Sequence, residues 1–293
     1  MEQIITVILP TVFAIALGYL LSKFGKPDLN TLIDVAMFVA TPCLVLHSLY
    51  ASPIVMGDAL RGWAAALISV AGMFVIAWLV FGTRGKGSPA LYLPIVFANT
   101  INIPLPIIYL AFGDEGVATT VLFYIPNGLL IYSLGIYMAS GHKELRQGLK
   151  AVFKTPLIYA AVLGLVLNLA RVPMPDAVIN SLELVGQAAV PLMLLVLGMN
   201  ISRFKFSQIR LTLLASVIRM GGGFAVGLLA VWLLGMSGLP RAIILFEAAM
   251  PSAVFTTVLC TKYNNQPELV SSIVLTTTLM AVGVIPALLY YLT

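Results

Sequence analysis

Residues 99–106 read Asn-Thr-Ile-Asn-Ile-Pro-Leu-Pro, and residues 247–252 read Glu-Ala-Ala-Met-Pro-Ser. Both stretches lie inside apolar runs long enough to cross a bilayer, and both set proline beside amides or a carboxylate. Each proline removes a backbone donor, so Pro104 and Pro106 would release the carbonyls of Thr100 and Asn102, and Pro251 that of Glu247. In hydrocarbon such groups must face protein, water or a ligand. Two of these sites predict a pair of interrupted helices, whose freed carbonyls suit a cation and whose N-termini suit an anion. Plain proline kinks are the competing reading, and the acid beside the second break weighs against it.

The surrounding composition fits a membrane interior. The chain has 293 residues, 60% hydrophobic and 9% charged, where a soluble domain carries roughly 25% charged residues. Polar breaks divide it into apolar runs near the ~20 residues that span hydrocarbon. Spans are expected at 3–22, 31–51, 59–81, 89–112, 115–139, 155–171, 176–198, 208–234, 240–262 and 268–292, with Pro104, Pro106, Pro126, Pro251 and Pro286 interrupting the fourth, fifth, ninth and tenth. The first run has no basic region before it and no small-residue cleavage site after it, so it is read as a span and not as a signal peptide. Cys43 and Cys260 lie in apolar runs and belong to no spaced set of metal or disulfide type.

Charge sets an orientation. The loops after the odd-numbered spans hold twelve basic residues: Lys23, Lys26, Arg84, Lys86, Lys143, Arg146, Lys150, Lys154, Arg203, Lys205, Arg210 and Lys262. The opposite loops hold three, Arg61, Arg171 and Arg241. Basic loops stay in the cytoplasm, so both termini are expected outside, in a cell inner (plasma) membrane. The net charge of +5 is thus a topology signal, and without interleaved aromatics or a soluble fold it argues against nucleic acid.

The chain also repeats. Pro10 and Gly18 are matched 146 residues later by Pro156 and Gly164, Ala40-Thr41-Pro42 by Ala189-Val190-Pro191 at 149, and Pro104 by Pro251 at 147. Five spans per half force the second copy to enter from the opposite side. The expected fold is therefore all-α integral membrane: ten transmembrane helices in two inverted five-helix repeats, 1–140 and 155–293, joined by a cytoplasmic linker 141–154, with helices 4 and 9 broken and crossing. Such repeats are typical of secondary transporters that bind substrate near the midplane.

Substrate contacts are expected from Asn99, Asn102, Pro104, Asn127, Pro251 and Ser252, and ion coupling from Glu247 and Thr100. Glu247 lies about two turns into its span, where a carboxylate is a functional candidate by default. Arg219 in the eighth span could neutralise it, attract the substrate anion or face a cytoplasmic funnel, and these stay open. His47 is read as a satisfied interface histidine in preference to a proton relay, and Gly221, Gly222, Gly223 and Gly227 as close-packing positions in preference to a hinge.

Ala-Thr-Pro-Cys-Leu at 40–44, Asn-x-x-Asn-x-Pro-x-Pro at 99–106, Ala-Val-Pro-Leu-Met-Leu-Leu-Val-Leu-Gly at 189–198 and Glu-Ala-Ala-Met-Pro-Ser-Ala at 247–253 together resemble the auxin efflux carrier family over the whole chain. The resemblance implies a carrier of small carboxylates, auxin-like or malonate-like. It also implies a fold shared with the bile acid sodium symporters, in which a panel (spans 1, 2, 6 and 7) moves against a core (spans 3–5 and 8–10), as in elevator-type alternating access. Glu247 falls where those symporters carry a sodium-binding Glu, but the fuller Glu-Gly-x-Gln-Asn pattern is absent. The coupling ion, H+ or Na+, is left open, and no resident cofactor or metal is expected. The expected partners are a small organic anion and membrane lipid, with a homodimer left open. An intramembrane enzyme is disfavoured by the absence of nucleophile and metal motifs, and a sensor or binding protein without transport is the alternative.

Overall fold

The computed structural model describes residues 2–25, 27–83, 85, 87–140, 156–201 and 207–292; the expected linker 141–154 lies outside them. Among the described residues the fold is all-helical, as a chain of mean hydropathy +1.05 requires if its backbone is to satisfy itself without water. In order the helices are α1 (Glu2–Phe24), α2 (Leu29–Val35), α3 (Thr41–Ala51), α4 (Met56–Ala77), α5 (Pro89–Val96), α6 (Pro104–Leu130), α7 (Ile136–Ala139), α8 (Pro156–Leu169), α9 (Asp176–Gln187), α10 (Ala189–Ile201), α11 (Ile209–Val217), α12 (Gly223–Leu233), α13 (Gly238–Ala248), α14 (Val254–Lys262) and α15 (Pro267–Leu292). Single π-helical turns at Ala36–Ala40, Trp78–Gly82, Ile131–Gly135 and Ile218–Gly222 carry α2 into α3, extend α4, and join α6 to α7 and α11 to α12. Among the described residues six continuous helical stretches are long and apolar enough to cross a membrane, and Leu9–Phe24 and Pro156–Leu169 are shorter apolar helices.

Local signals explain several helix starts. The Asp28 carboxylate accepts the Asn30 N–H at 3.2 Å ahead of α2, and the Ser88 hydroxyl accepts the Leu91 N–H at 3.2 Å ahead of α5. Pro89, Pro104, Pro156 and Pro267 each open a helix, where a missing N–H costs nothing. Pro126 and Pro286, expected to interrupt their spans, lie inside α6 and α15. In α6 the one non-helical residue is Gly113, at φ 61° and ψ −154°, a conformation essentially restricted to glycine. It separates 104–112 from 114–130.

The chain divides into two compact units. The first comprises Met1–Ala59, Ile101–Ile125 and Phe153–Arg203; the second comprises Leu60–Thr100, Pro126–Val152 and Phe204–Thr293. Each therefore takes segments from both halves of the sequence. In the first unit glycines allow backbones to meet. Gly18 of α1 lies against the Leu195 backbone of α10, Gly198 against Ile15 and Tyr19, and Gly164 of α8 against Leu46 and Leu49 of α3. Leu44, Val45, Leu105, Val121, Leu157 and Met193 fill its core. The second unit is centred on Met73, Phe81, Leu93, Phe97, Ile273 and Val274. Large apolar side chains such as Trp232, 75% exposed, point outward, as helices bordered by lipid demand.

Candidate functional site

Within the second unit two helices stop short. α5 ends at Val96 and the chain resumes helix only at Pro104, while α13 ends at Ala248 and resumes at Val254. The first break thus precedes Pro104, which was expected to cause it; that proline opens the following helix instead. The two extended segments run antiparallel. The Asn99 N–H donates to the Pro251 carbonyl at 2.7 Å and the Ala253 N–H to the Phe97 carbonyl at 2.9 Å, around a bridge between Ala98 and Ser252. Across the bridge Asn99 thus stands opposite Pro251 and Phe97 opposite Ala253, with Ala98 facing Ser252 at the centre.

A helix end leaves four carbonyls without intrahelical partners, and here every one is satisfied. In α5 the Leu93 carbonyl accepts the Phe97 N–H at 3.1 Å, the Pro94 carbonyl accepts the Ser252 hydroxyl at 2.6 Å, and those of Ile95 and Val96 accept Arg219 Nη1 at 2.8 and 3.1 Å. In α13 the Leu245 and Phe246 carbonyls accept the Ala249 N–H at 3.3 and 3.2 Å, Glu247 accepts the Met250 N–H at 3.1 Å, and Ala248 accepts Arg219 Nη2 at 2.6 Å. The Glu247 carbonyl, expected to be released by Pro251, is therefore in use.

Arg219 has a structural role beside the three weighed from sequence. Only 2% exposed, its guanidinium staples the C-termini of both interrupted helices. Each helix C-terminus carries about half a negative charge, so two of them balance about one positive charge. The π-turn Ile218–Gly222 brings the arginine here, and Gly223 completes the niche: a Cβ at that position would collide with the Ala248 carbonyl and with the guanidinium itself. An arginine four residues before a glycine in an apolar run was the available signal. Gly227, where a Cβ would meet the Ala248 Cβ at 2.7 Å, continues the same face.

The remaining expected residues divide between the units. Asn99, Thr100, Asn127, Glu247, Pro251 and Ser252 fall in the second, all buried, with Glu247 in the last turn of α13. Ser252 is committed within the fold, for its N–H also donates to Thr277 Oγ1 at 3.1 Å. Asn102 and Pro104 fall in the first unit. Among the described residues no group of His, Cys, Asp and Glu could hold a metal.

Apolar helices in this number, with two interrupted helices paired through their backbones, define a multi-pass membrane protein of the transporter class. A family model described as "Membrane transport protein" matches residues 3–148 and 143–291, and the chain belongs to that family, the auxin efflux carrier family its motifs resemble. It is similar to an uncharacterized transporter of Methanothermobacter thermautotrophicus, 28% identical over 95% of each chain. A second relative, an uncharacterized transporter of Methanocaldococcus jannaschii, is 24% identical over 95% of this chain and 96% of its own. The family is one of membrane transporters and not of enzymes.

Proposed function

We propose that the protein is a secondary active transporter that moves a small organic anion, a carboxylate of malonate-like or auxin-like kind, by alternating access through ten spans built as two inverted repeats. The observation that carries the reading is the antiparallel pairing of two interrupted helices around Ala98 and Ser252, with buried Glu247 one turn from the crossing. Mirrored contacts support the repeat: Gly18 meets Leu195, and Gly164 meets Leu49, 146 residues away from each partner in turn. Elevator-like movement is supported by the way each unit interleaves segments from both halves. With Arg219 occupied by three carbonyls, amide donors such as those of Asn99 and Asn127 suit an anion better than a full opposing charge would. Glu247 is the coupling residue in this reading, carrying a proton or helping to hold sodium.

Proteoliposomes with a pH or sodium gradient and labelled malonate or indole-3-acetate test it. Saturable, gradient-driven accumulation is expected, and Glu247→Gln should abolish accumulation while sparing downhill exchange, since the amide imitates the protonated acid. Absence of flux for every small carboxylate tried would refute the transport reading, and full accumulation by the variant would refute the coupling role.

A further inference from the structure

The crossing of the two interrupted helices has two edges, and they differ. In the pattern set by the Asn99–Pro251 and Ala253–Phe97 bonds, Ala98 and Ser252 form a pair with no hydrogen bond to each other, so the N–H and carbonyl of each point outward, on opposite sides. On the Ser252 side the N–H donates to Thr277 Oγ1 at 3.1 Å, and that hydroxyl donates onward to the Ile273 carbonyl at 2.9 Å. Ser252 and Thr277 are fully buried, which shuts this edge to a ligand. Ala98 is only partly buried, and among the described residues neither its N–H nor its carbonyl has a hydrogen-bond partner. The Pro94 carbonyl, which a continued helix would offer to that N–H, accepts the Ser252 hydroxyl at 2.6 Å instead. Backbone groups left open in a chain that crosses hydrocarbon must face water or a ligand.

We infer that the Ala98 edge recognises a planar group that accepts from the N–H and donates to the carbonyl, namely a carboxyl group carrying its proton. A strand edge binds through just this pairing of main-chain donor and acceptor. An ionised carboxylate satisfies half of it: one oxygen accepts from the N–H, and the other is set against the Ala98 carbonyl. The substrate therefore enters with a proton on the carboxyl group held here, and in a dicarboxylic acid the second carboxylate keeps its charge. Monoprotonated dicarboxylates and half-amides are the favoured class, ahead of doubly ionised acids. The kind of ligand rests on the anion-transport reading, and the contact on the geometry of the crossing. Ala98 is absent from the contacts expected from sequence because its side chain carries no polar group; the backbone does the recognising.

Calorimetric binding to the full chain in lipid nanodiscs near pH 7.5 tests the edge with three probes of one skeleton: malonamate, monomethyl malonate and malonate. Each keeps one carboxylate. At its other end the amide offers donor and acceptor, the ester an acceptor alone, and malonate a second charge. Malonamate should bind about tenfold more tightly than either of the others, the cost of leaving one desolvated partner unpaired. Ala98→Pro deletes the N–H and should weaken malonamate about tenfold. Its melting temperature should stay near that of the parent, because the lost N–H serves nothing in the fold and Phe97, at φ −96° and ψ 114°, already has the extended conformation that a residue before proline prefers. Equal affinities for malonamate and the ester overturn the proposal while leaving the anion reading in place, and so does parent-like binding of malonamate by Ala98→Pro. The probe series needs no variant, so it decides even where the proline chain fails to fold. No binding by any of the three overturns the edge; it overturns the anion reading as well only if no other small carboxylate moves in proteoliposomes.

Discussion

At the residue scale, the fold depends on a few side chains that answer backbone groups. Removing the Arg219 guanidinium strands three buried carbonyls, each costing about 1–3 kcal/mol. Arg219→Gln should therefore lower stability by about 3 kcal/mol or more, read as thermal unfolding in detergent, and Arg219→Lys should rescue only part, since an ammonium lacks the planar fork that reaches two helix ends. The glycines beside it make a sharper comparison. Gly223→Ala drives a methyl into the Ala248 carbonyl and should cost about 2–3 kcal/mol, whereas Gly221→Ala meets nothing within 4 Å and should leave stability within about 0.5 kcal/mol. Equal effects at the two positions would refute the niche. Sequence alone gave Arg219 as a buried charge but not its partners, because backbone carbonyls leave no mark in a residue pattern.

At the element scale, the interrupted helices were legible and their edges were not. Proline signals a break, yet it is also the favoured first residue of a helix, so Pro104 marked the end of its break and not the middle. Pro126 and Pro286 were read as interruptions although neighbouring helices can absorb a proline inside a long apolar helix. The real discontinuity in α6 is at Gly113, where backbone angles and not a missing donor make the turn. Gly113→Ala introduces no steric clash, so its cost of about 1–3 kcal/mol comes from the backbone alone. The loss should appear as reduced hydrogen-exchange protection across 110–118, with α5 and α13 unchanged. His47 was legible as a satisfied histidine, but Asp114, whose Oδ1 lies 3.4 Å from its Nδ1, stayed hidden as its partner because the two positions are far apart in the chain.

At the scale of the molecule, composition and hydropathy were enough for the class, since a chain with 9% charged residues has no other place to fold than a bilayer. Orientation rests on charge alone: with twelve basic residues in one set of loops and three in the other, Gln147→Cys in a background lacking Cys43 and Cys260 should resist an impermeant maleimide in intact cells and react after permeabilisation. Labelling in intact cells would reverse the orientation. The staple at Arg219 has a further consequence for how the molecule comes apart. A single side chain closes two helix ends, so neither end can fray while the other stays shut. Local opening at 97–103 and at 249–253 is then one cooperative event, and amides in the two stretches, some 150 positions apart in sequence, should exchange their hydrogens at a common rate.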